Sequence, residues 1–447
     1  MSGKIHLVGA GLAGSLLSLF LARRGFEVEI FERRVDMRRE SISAGRSINL
    51  ALAHRGIVAL RAVGIYPQIE RLTIPMKGRL LHDLQGNLNF QRYGKIDSEV
   101  IYSISRGALN AALLSAAEAT GKVTIQFKQR CTHVDLKRKI ATFQSENRSE
   151  TEVNYDQLIG TDGSASAVRD SLVKQAGIQF SEDVLDHGYK ELTIPPDDFS
   201  KGFRMDKNAL HIWPRGEYML IALPNLDSSF TATLFLPHKD GFDRLTTPPA
   251  VRGFFQNEFP DSLPMIPYLE EEFLSRPTGM LTTVRCSPWS HEDQVLLLGD
   301  AAHAIVPFHG QGMNCAFEDC LSLDAQLEKS NGDWRTAFQS FEKDRMRNAN
   351  AIADLALENY VEMRDTVRDP KFHLKKHLEW SLEERHGERF IPRYSMIMFH
   401  SIPYADVKER GEIQTEILNR LTANADTLEQ VDLDAAGKLV QERLKLF

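Results

Sequence analysis

Cysteine is scarce: Cys131, Cys286, Cys315 and Cys320 are the four present in 447 residues, with neither CxxC pairing nor zinc-ligand spacing among them. That argues against a disulfide framework and against a metal, and predicts free thiols in a reducing compartment. Excess positive charge is missing too. Lys and Arg number 54 against 61 Asp and Glu, a formal net charge of -7, and the basic residues form no arm or tract. Such a balance disfavours a nucleic-acid or other polyanionic partner. No apolar run approaches the ~18 residues of a membrane span. Only Lys4 precedes the first strand-like run, so the layout of a secretory leader is not seen and the cytosol is the expected address. The chain also lacks internal repeats and low-complexity segments.

What is present alternates between two patterns. With 42% apolar residues the chain can bury a substantial core, and its length suits two or three domains or one elaborated domain. Residues 4–8 read as a buried strand, 11–24 as a helix and 27–31 as a second strand, a βαβ unit. Short strands flank the turn "DLQGNL" between Pro75 and Tyr102, and "SRGALNAALLSAAEATG" predicts a helix ending at Gly121. From 185 to 237 the chain reads as successive β-strands. After Val295 it returns to α/β character, and beyond Asn314 it is helical to the end. Interleaving of this kind predicts a ligand cleft between two domains.

The strongest local signal is Gly9-Ala10-Gly11-Leu12-Ala13-Gly14. Its first glycine suits the tight turn, its second a close approach to a pyrophosphate, and its third close helix–strand packing. The helix N-terminus that follows offers unpaired N–H groups to phosphate. Glu32 ends the second strand, where a carboxylate can accept hydrogen bonds from ribose hydroxyls and would repel a 2'-phosphate. An ordinary turn is the bland alternative. Together these features predict bound NAD or FAD, not NADP, in this loop.

Two further segments choose between them. "LIGTDGSASAVRDSL" places Asp162-Gly163 after an apolar strand, and "VLLLGDAAHAIVPFHGQGMNCAFED" places Gly299-Asp300 likewise. Each carboxylate alone could merely cap the next helix. With the glycine loop, the DG and GD pairs resemble the fingerprints of the single-component flavoprotein aromatic hydroxylases. The resemblance runs nearly the full length. It implies an α/β fold with a Rossmann-like FAD-binding domain over 1–75, 100–180 and 290–330, an antiparallel β-sheet substrate domain over 76–99 and 181–289, and a C-terminal helical region over 331–447. It also implies FAD contacts at Gly9, Gly11, Leu12, Ala13, Gly14, Phe31, Glu32, Arg33, Arg34, Ala51, Arg106, Cys131, Asp162, Ser166, Asp300, Gly312, Met313 and Asn314. The helix opening at Gly312-Met313-Asn314 would aim its positive end at the flavin.

Within that family, "GRSINLALAHRG", "HGYKELTIPP", "LHIWPRGEYMLIALPN" and the GD segment resemble members acting on L-kynurenine. The implied reaction forms 3-hydroxykynurenine with NADPH and O2 through a flavin hydroperoxide, NADPH visiting transiently. Arg79, Tyr93, Asn359 and Tyr394 match the residues that hold the amino-acid head. His309 is the catalytic candidate, with packing or hydrogen bonding beside the flavin as its alternative, and His303 is expected to be structural. The aniline nitrogen activates the ring, so no carboxylate dyad or Ser/His/Asp set is needed. The tail of amphipathic helices departs from the apolar anchor of mitochondrial members and predicts a soluble enzyme. Rival readings are a hydroxylase of another aromatic acid, such as anthranilate or a hydroxybenzoate, and a non-catalytic binding protein like the Rab dissociation inhibitors. A flavin halogenase would carry a WxWxIP stretch, which this sequence lacks.

Overall fold

A computed structural model describes residues 3–39, 49–364 and 370–447; the first four residues of "GRSINLALAHRG" lie outside the described residues. The chain divides into two compact units. One comprises residues 1–74, 102–185 and 280–353, the other 75–101, 186–279 and 354–447.

In the first unit, Lys4–Val8 and Glu27–Glu32 pair in parallel around the helix Leu12–Arg23. Gln157–Gly160 flanks Lys4–Val8 on its other side, also in parallel. The sheet runs Ser290–His291, Val295–Leu297, Gln157–Gly160, Lys4–Val8, Glu27–Glu32, Val123–Phe127. Its central strands are almost wholly buried, as the apolar run in "KIHLV" requires of a parallel sheet covered on both faces. The helix Arg106–Ala119 starts at Ser105, whose side chain accepts from Ala108 N. Ala337, Phe338, Phe341 and Ala349 join this unit's core. Residues 331–353 therefore belong to it, and the division expected at 331 falls at 353, inside the helix Trp334–Arg364.

In the second unit, a sheet runs Gln179–Ile194, Phe230–Pro237, Met219–Pro224, Ala209–Pro214, Gly78–His82, Leu88–Arg92. The first of these strands starts earlier than the sequence pattern suggests. The hairpin around "DLQGNL" forms because Asp83 Oδ1 accepts from the backbone N–H groups of Gln85 and Asn87 while Gly86 takes φ +80°. Arg79 stands directly opposite Gln91 in that antiparallel pair. An apolar cluster of Trp213, Phe230, Phe255, Phe259 and Phe273 packs the sheet against the helices Pro248–Glu258 and Leu269–Ser275, which the strand-dominated reading of the sequence passed over. The C-terminal helices build their own core on Leu378, Leu382, Phe390 and Val440. Among the described residues, no helix is long and apolar enough to cross a membrane.

Candidate active site

The glycine loop separates packing from ligand approach. A Cβ on Gly9 would overlap the Thr161 backbone, and one on Gly14 would overlap the Gly9 carbonyl. A Cβ on Gly11 would meet no atom within 4 Å. Protein packing thus demands glycine at 9 and 14, whereas at 11 the space is left open at the N-terminus of Leu12–Arg23. That helix has no side-chain cap and no acidic residue in its first turn, so neither competes with an anion for its leading N–H groups. Glu32 Oε2 accepts from Ala10 N at 2.8 Å and Oε1 from Arg34 N at 2.9 Å, and each oxygen retains acceptor capacity for hydroxyls. Arg33 and Arg34 are exposed beside it, while the Phe31 ring stacks on Phe143 at 3.9 Å.

The two strand-end aspartates differ. Asp162 accepts from Ser166 Oγ at 2.5 Å and Ala167 N at 2.8 Å, and Ser166 in turn caps the helix Ala167–Ala176. Burial raises the Asp162 carboxyl to about 6 against the pull of these hydrogen bonds. Asp300 is exposed, and Gly299, not Asp300, occupies the cap of its helix. The capping alternative therefore describes Asp162 and fails for Asp300. Arg169 donates to Ser164 O at 2.6 Å and Ala301 O at 3.0 Å, tying the loops that carry the two aspartates.

Several expected cofactor residues turn out to have committed side chains. Asn314 bonds Ala53 N, Ala51 O and Gly310 O at 2.8–3.0 Å, so only its backbone remains for a ligand. The Cys131 thiol lies in the core, its pKa pushed up to about 12 by burial, so a contact there also falls to the backbone. Met313 and Leu12 are buried, and Arg106 is exposed at its helix start. The helix Gly312–Lys329 has no acidic residue in its first turn and no side-chain cap. His309 is buried in the short turn before it.

His303 meets Asp319 at 2.6 Å and packs on Trp289. Asp319 also accepts from Arg345 Nε at 2.7 Å and Gly299 N at 3.2 Å, and Glu318 joins Arg345 to Arg55. Burial pushes the Asp319 carboxyl up, but His303 and Arg345 together outweigh it and hold it below the usual range. This buried ion network under the GD turn escaped the sequence reading. Its only sequence signal is a charged residue on an otherwise apolar helical face.

The second unit assembles the other set. The Arg79 guanidinium carbon lies 4.8 Å over the Tyr394 ring and 5.8 Å over Tyr93, whose rings stack 5.6 Å apart at 12°. Arg79 is buried, its Nε has no hydrogen-bond partner among the described residues, and the Glu362 carboxylate is 3.9 Å from its Nη1. Burial opposes the Arg79 charge, yet Tyr394, Tyr93 and Glu362 keep its pKa above the ordinary value. Burial likewise raises both tyrosine hydroxyls, which stay protonated donors. Asn359 is buried on the same helix as Glu362, with Nδ2 3.2 Å from Met363 Sδ. Arg79, Tyr93 and Tyr394 are thus brought together, while Asn359 lies three residues before Glu362 on the same helix. Glu362 was missed from sequence, where it is one charge in a helix full of them.

Comparison with known proteins finds relatives over nearly the full length of the chain. The model of a family described as an FAD binding domain matches residues 3–356. A kynurenine 3-monooxygenase of Myxococcus xanthus is 50% identical over 99% of this chain and 96% of its own length. Those of Stenotrophomonas maltophilia and Xanthomonas axonopodis pv. citri are 44% and 46% identical over 100% and 99% of this chain and 98% and 97% of their own. Among solved structures, 2-methyl-3-hydroxypyridine-5-carboxylic acid oxygenase superposes with a TM-score of 0.66 at 20% identity, covering 83% of this chain and 94% of that one. Pseudomonas aeruginosa PqsL in complex with 2-aminobenzoylacetate gives 0.64 at 19%, covering 82% and 98%. A glycine loop with open space at its second glycine, two strand-end aspartates and near-full-length relatives lead to one assignment: the chain belongs to the FAD-binding kynurenine 3-monooxygenase family.

Proposed function

We propose that this protein hydroxylates L-kynurenine to 3-hydroxykynurenine with NADPH and O2, and that Arg79, Tyr93, Asn359 and Tyr394 hold the substrate's amino-acid head. The observation that supports the substrate reading is the buried Arg79, stacked on two tyrosines and with an unpaired Nε. A buried guanidinium whose ion pair with Glu362 is as long as 3.9 Å, and whose Nε is unpaired among the described residues, has donors left for a small anionic ligand. The substrate's carboxylate meets Arg79, the tyrosine hydroxyls donate to the same group, and Glu362 supplies the counter-charge for the ammonium.

FAD, bound at the glycine loop, supplies oxygen activation once reduced. Leu12–Arg23 would offer its leading N–H groups to the pyrophosphate, Glu32 would accept from the adenosine ribose, and Asp300 would accept from the ribityl chain. The N-terminus of Gly312–Lys329 would stabilise negative charge on the reduced flavin. The substrate's own aniline nitrogen makes the ortho carbon nucleophilic, so the protein need only orient the ring and exclude water. With the ring so activated no base is required, and His309, buried in the turn before Gly312, is left a packing or hydrogen-bonding role.

The test is NADPH consumption by the flavin-loaded protein with and without L-kynurenine, with the product identified by mass. Stimulated consumption forming 3-hydroxykynurenine supports the reading. Stimulation yielding only H2O2 refutes kynurenine as the substrate.

A further inference from the structure

Gln91 is a second buried donor beside the Arg79 cluster. It stands directly across the hairpin from Arg79, and Tyr93 follows two residues later. Directly opposed residues of an antiparallel pair share a sheet face with Cβ atoms about 4.5–5.5 Å apart, and residues two apart on a strand share it too. Arg79, Gln91 and Tyr93 therefore project from one face. Among the buried polar atoms without a hydrogen-bond partner are Arg79 Nε and Gln91 Nε2. Buried N–H groups are rarely left unpaired, and two neighbouring ones on one face call for a shared acceptor. Tyr93 and Tyr394 fill the space around Arg79 with rings whose hydroxyls stay protonated, so they too present donors.

We propose that Gln91 is a further substrate-binding residue, donating its side-chain N–H to the same carboxylate that Arg79 clamps. This rests on the reading of Arg79 given above and extends it. A carboxylate offers about four lone-pair sites, enough for one guanidinium N–H, the Gln91 amide N–H and the two tyrosine hydroxyls together. The contact is made in ground and transition states alike, so its loss raises KM and leaves kcat in place.

The experiment compares wild type, Gln91→Met, Gln91→Glu and Arg79→Met as flavin-loaded enzymes of equal flavin content, with L-kynurenine and with its decarboxylated amine, which keeps the ring and ketone. Gln91→Met is expected to raise KM for L-kynurenine about tenfold with kcat unchanged, and to leave KM for the amine unaltered. Gln91→Glu keeps the shape, sets an anion against the carboxylate, and is expected to raise KM for L-kynurenine further. If Arg79→Met raises KM and neither Gln91 variant does, Gln91 is not in the site while the Arg79 reading stands. If Arg79→Met also has no effect, the head-group reading itself fails. Equal rises with both compounds would assign Gln91 to the ketone and overturn the carboxylate contact.

Discussion

The guanidinium carbon of Arg79 sits 4.8 Å over the ring of Tyr394, and that tyrosine helps to hold the Arg79 pKa above its ordinary value. Ring and hydroxyl contribute separately. Tyr394→Phe is expected to cost about 1 kcal/mol of substrate binding, roughly fivefold in KM, through the lost hydroxyl. Tyr394→Ala removes a desolvated cation–π partner as well and is expected to cost about 2 kcal/mol more, a further 30-fold or so. Equal effects of the two variants in steady-state kinetics would show that the ring adds nothing.

Gly11→Ala and Gly14→Ala should fail in different ways. At Gly11 φ is -69° and the new methyl meets no protein atom, so the flavin-free protein is expected to melt as wild type does while retaining less FAD. At Gly14 the methyl collides with the Gly9 carbonyl, and about 1–3 kcal/mol of stability is expected to go with the overpacking. Thermal melts of the flavin-free proteins and flavin-to-protein absorbance ratios separate the two. Full flavin content in Gly11→Ala would remove the pyrophosphate from this loop.

Asp319→Asn leaves Arg345 and His303 without the carboxylate that joins them. Breaking a buried pair from one side typically costs about 3–5 kcal/mol, and a loss of that size is expected in denaturant unfolding of the flavin-free protein. A change under 1 kcal/mol would mean that Glu318 alone compensates Arg345.

For Asp162 the sign follows from its raised carboxyl, at about 6 in the folded chain. Its unfolded value is about 3.9, so the folded state binds the proton more tightly. Stability is therefore expected to fall as pH rises from about 4 to about 6, and above that to stay at the lowered level with no further pH dependence from this group. Asp162→Asn keeps an acceptor for Ala167 N and should flatten that part of the stability profile. An unchanged slope in urea unfolding across this window would place the Asp162 carboxyl in its ordinary range.

The sequence by itself determined the features that act over a few residues. Gly9, Gly11 and Gly14 answer to the turn and close approach they occupy, Asp83 and Gly86 to the hairpin, and Ser105 to the start of a helix. Apolar periodicity placed the first strand–helix–strand, because burial on one or both faces of an element is written at its own spacing. The long strand Gln179–Ile194, whose first residues are exposed, lacked that spacing and began earlier than its pattern suggests.

Only the tertiary structure decided which charges meet. Arg79 joins Glu362 and Tyr394, and Asp319 joins His303 and Arg345, across separations that no local pattern records. The same long-range packing committed the Asn314 side chain to the backbone at Ala51, Ala53 and Gly310, and gave residues 331–353 to the first unit's core. The physical reason is that the cost of burying a charge or an amide depends on the partner brought to it, and that partner comes from another part of the chain.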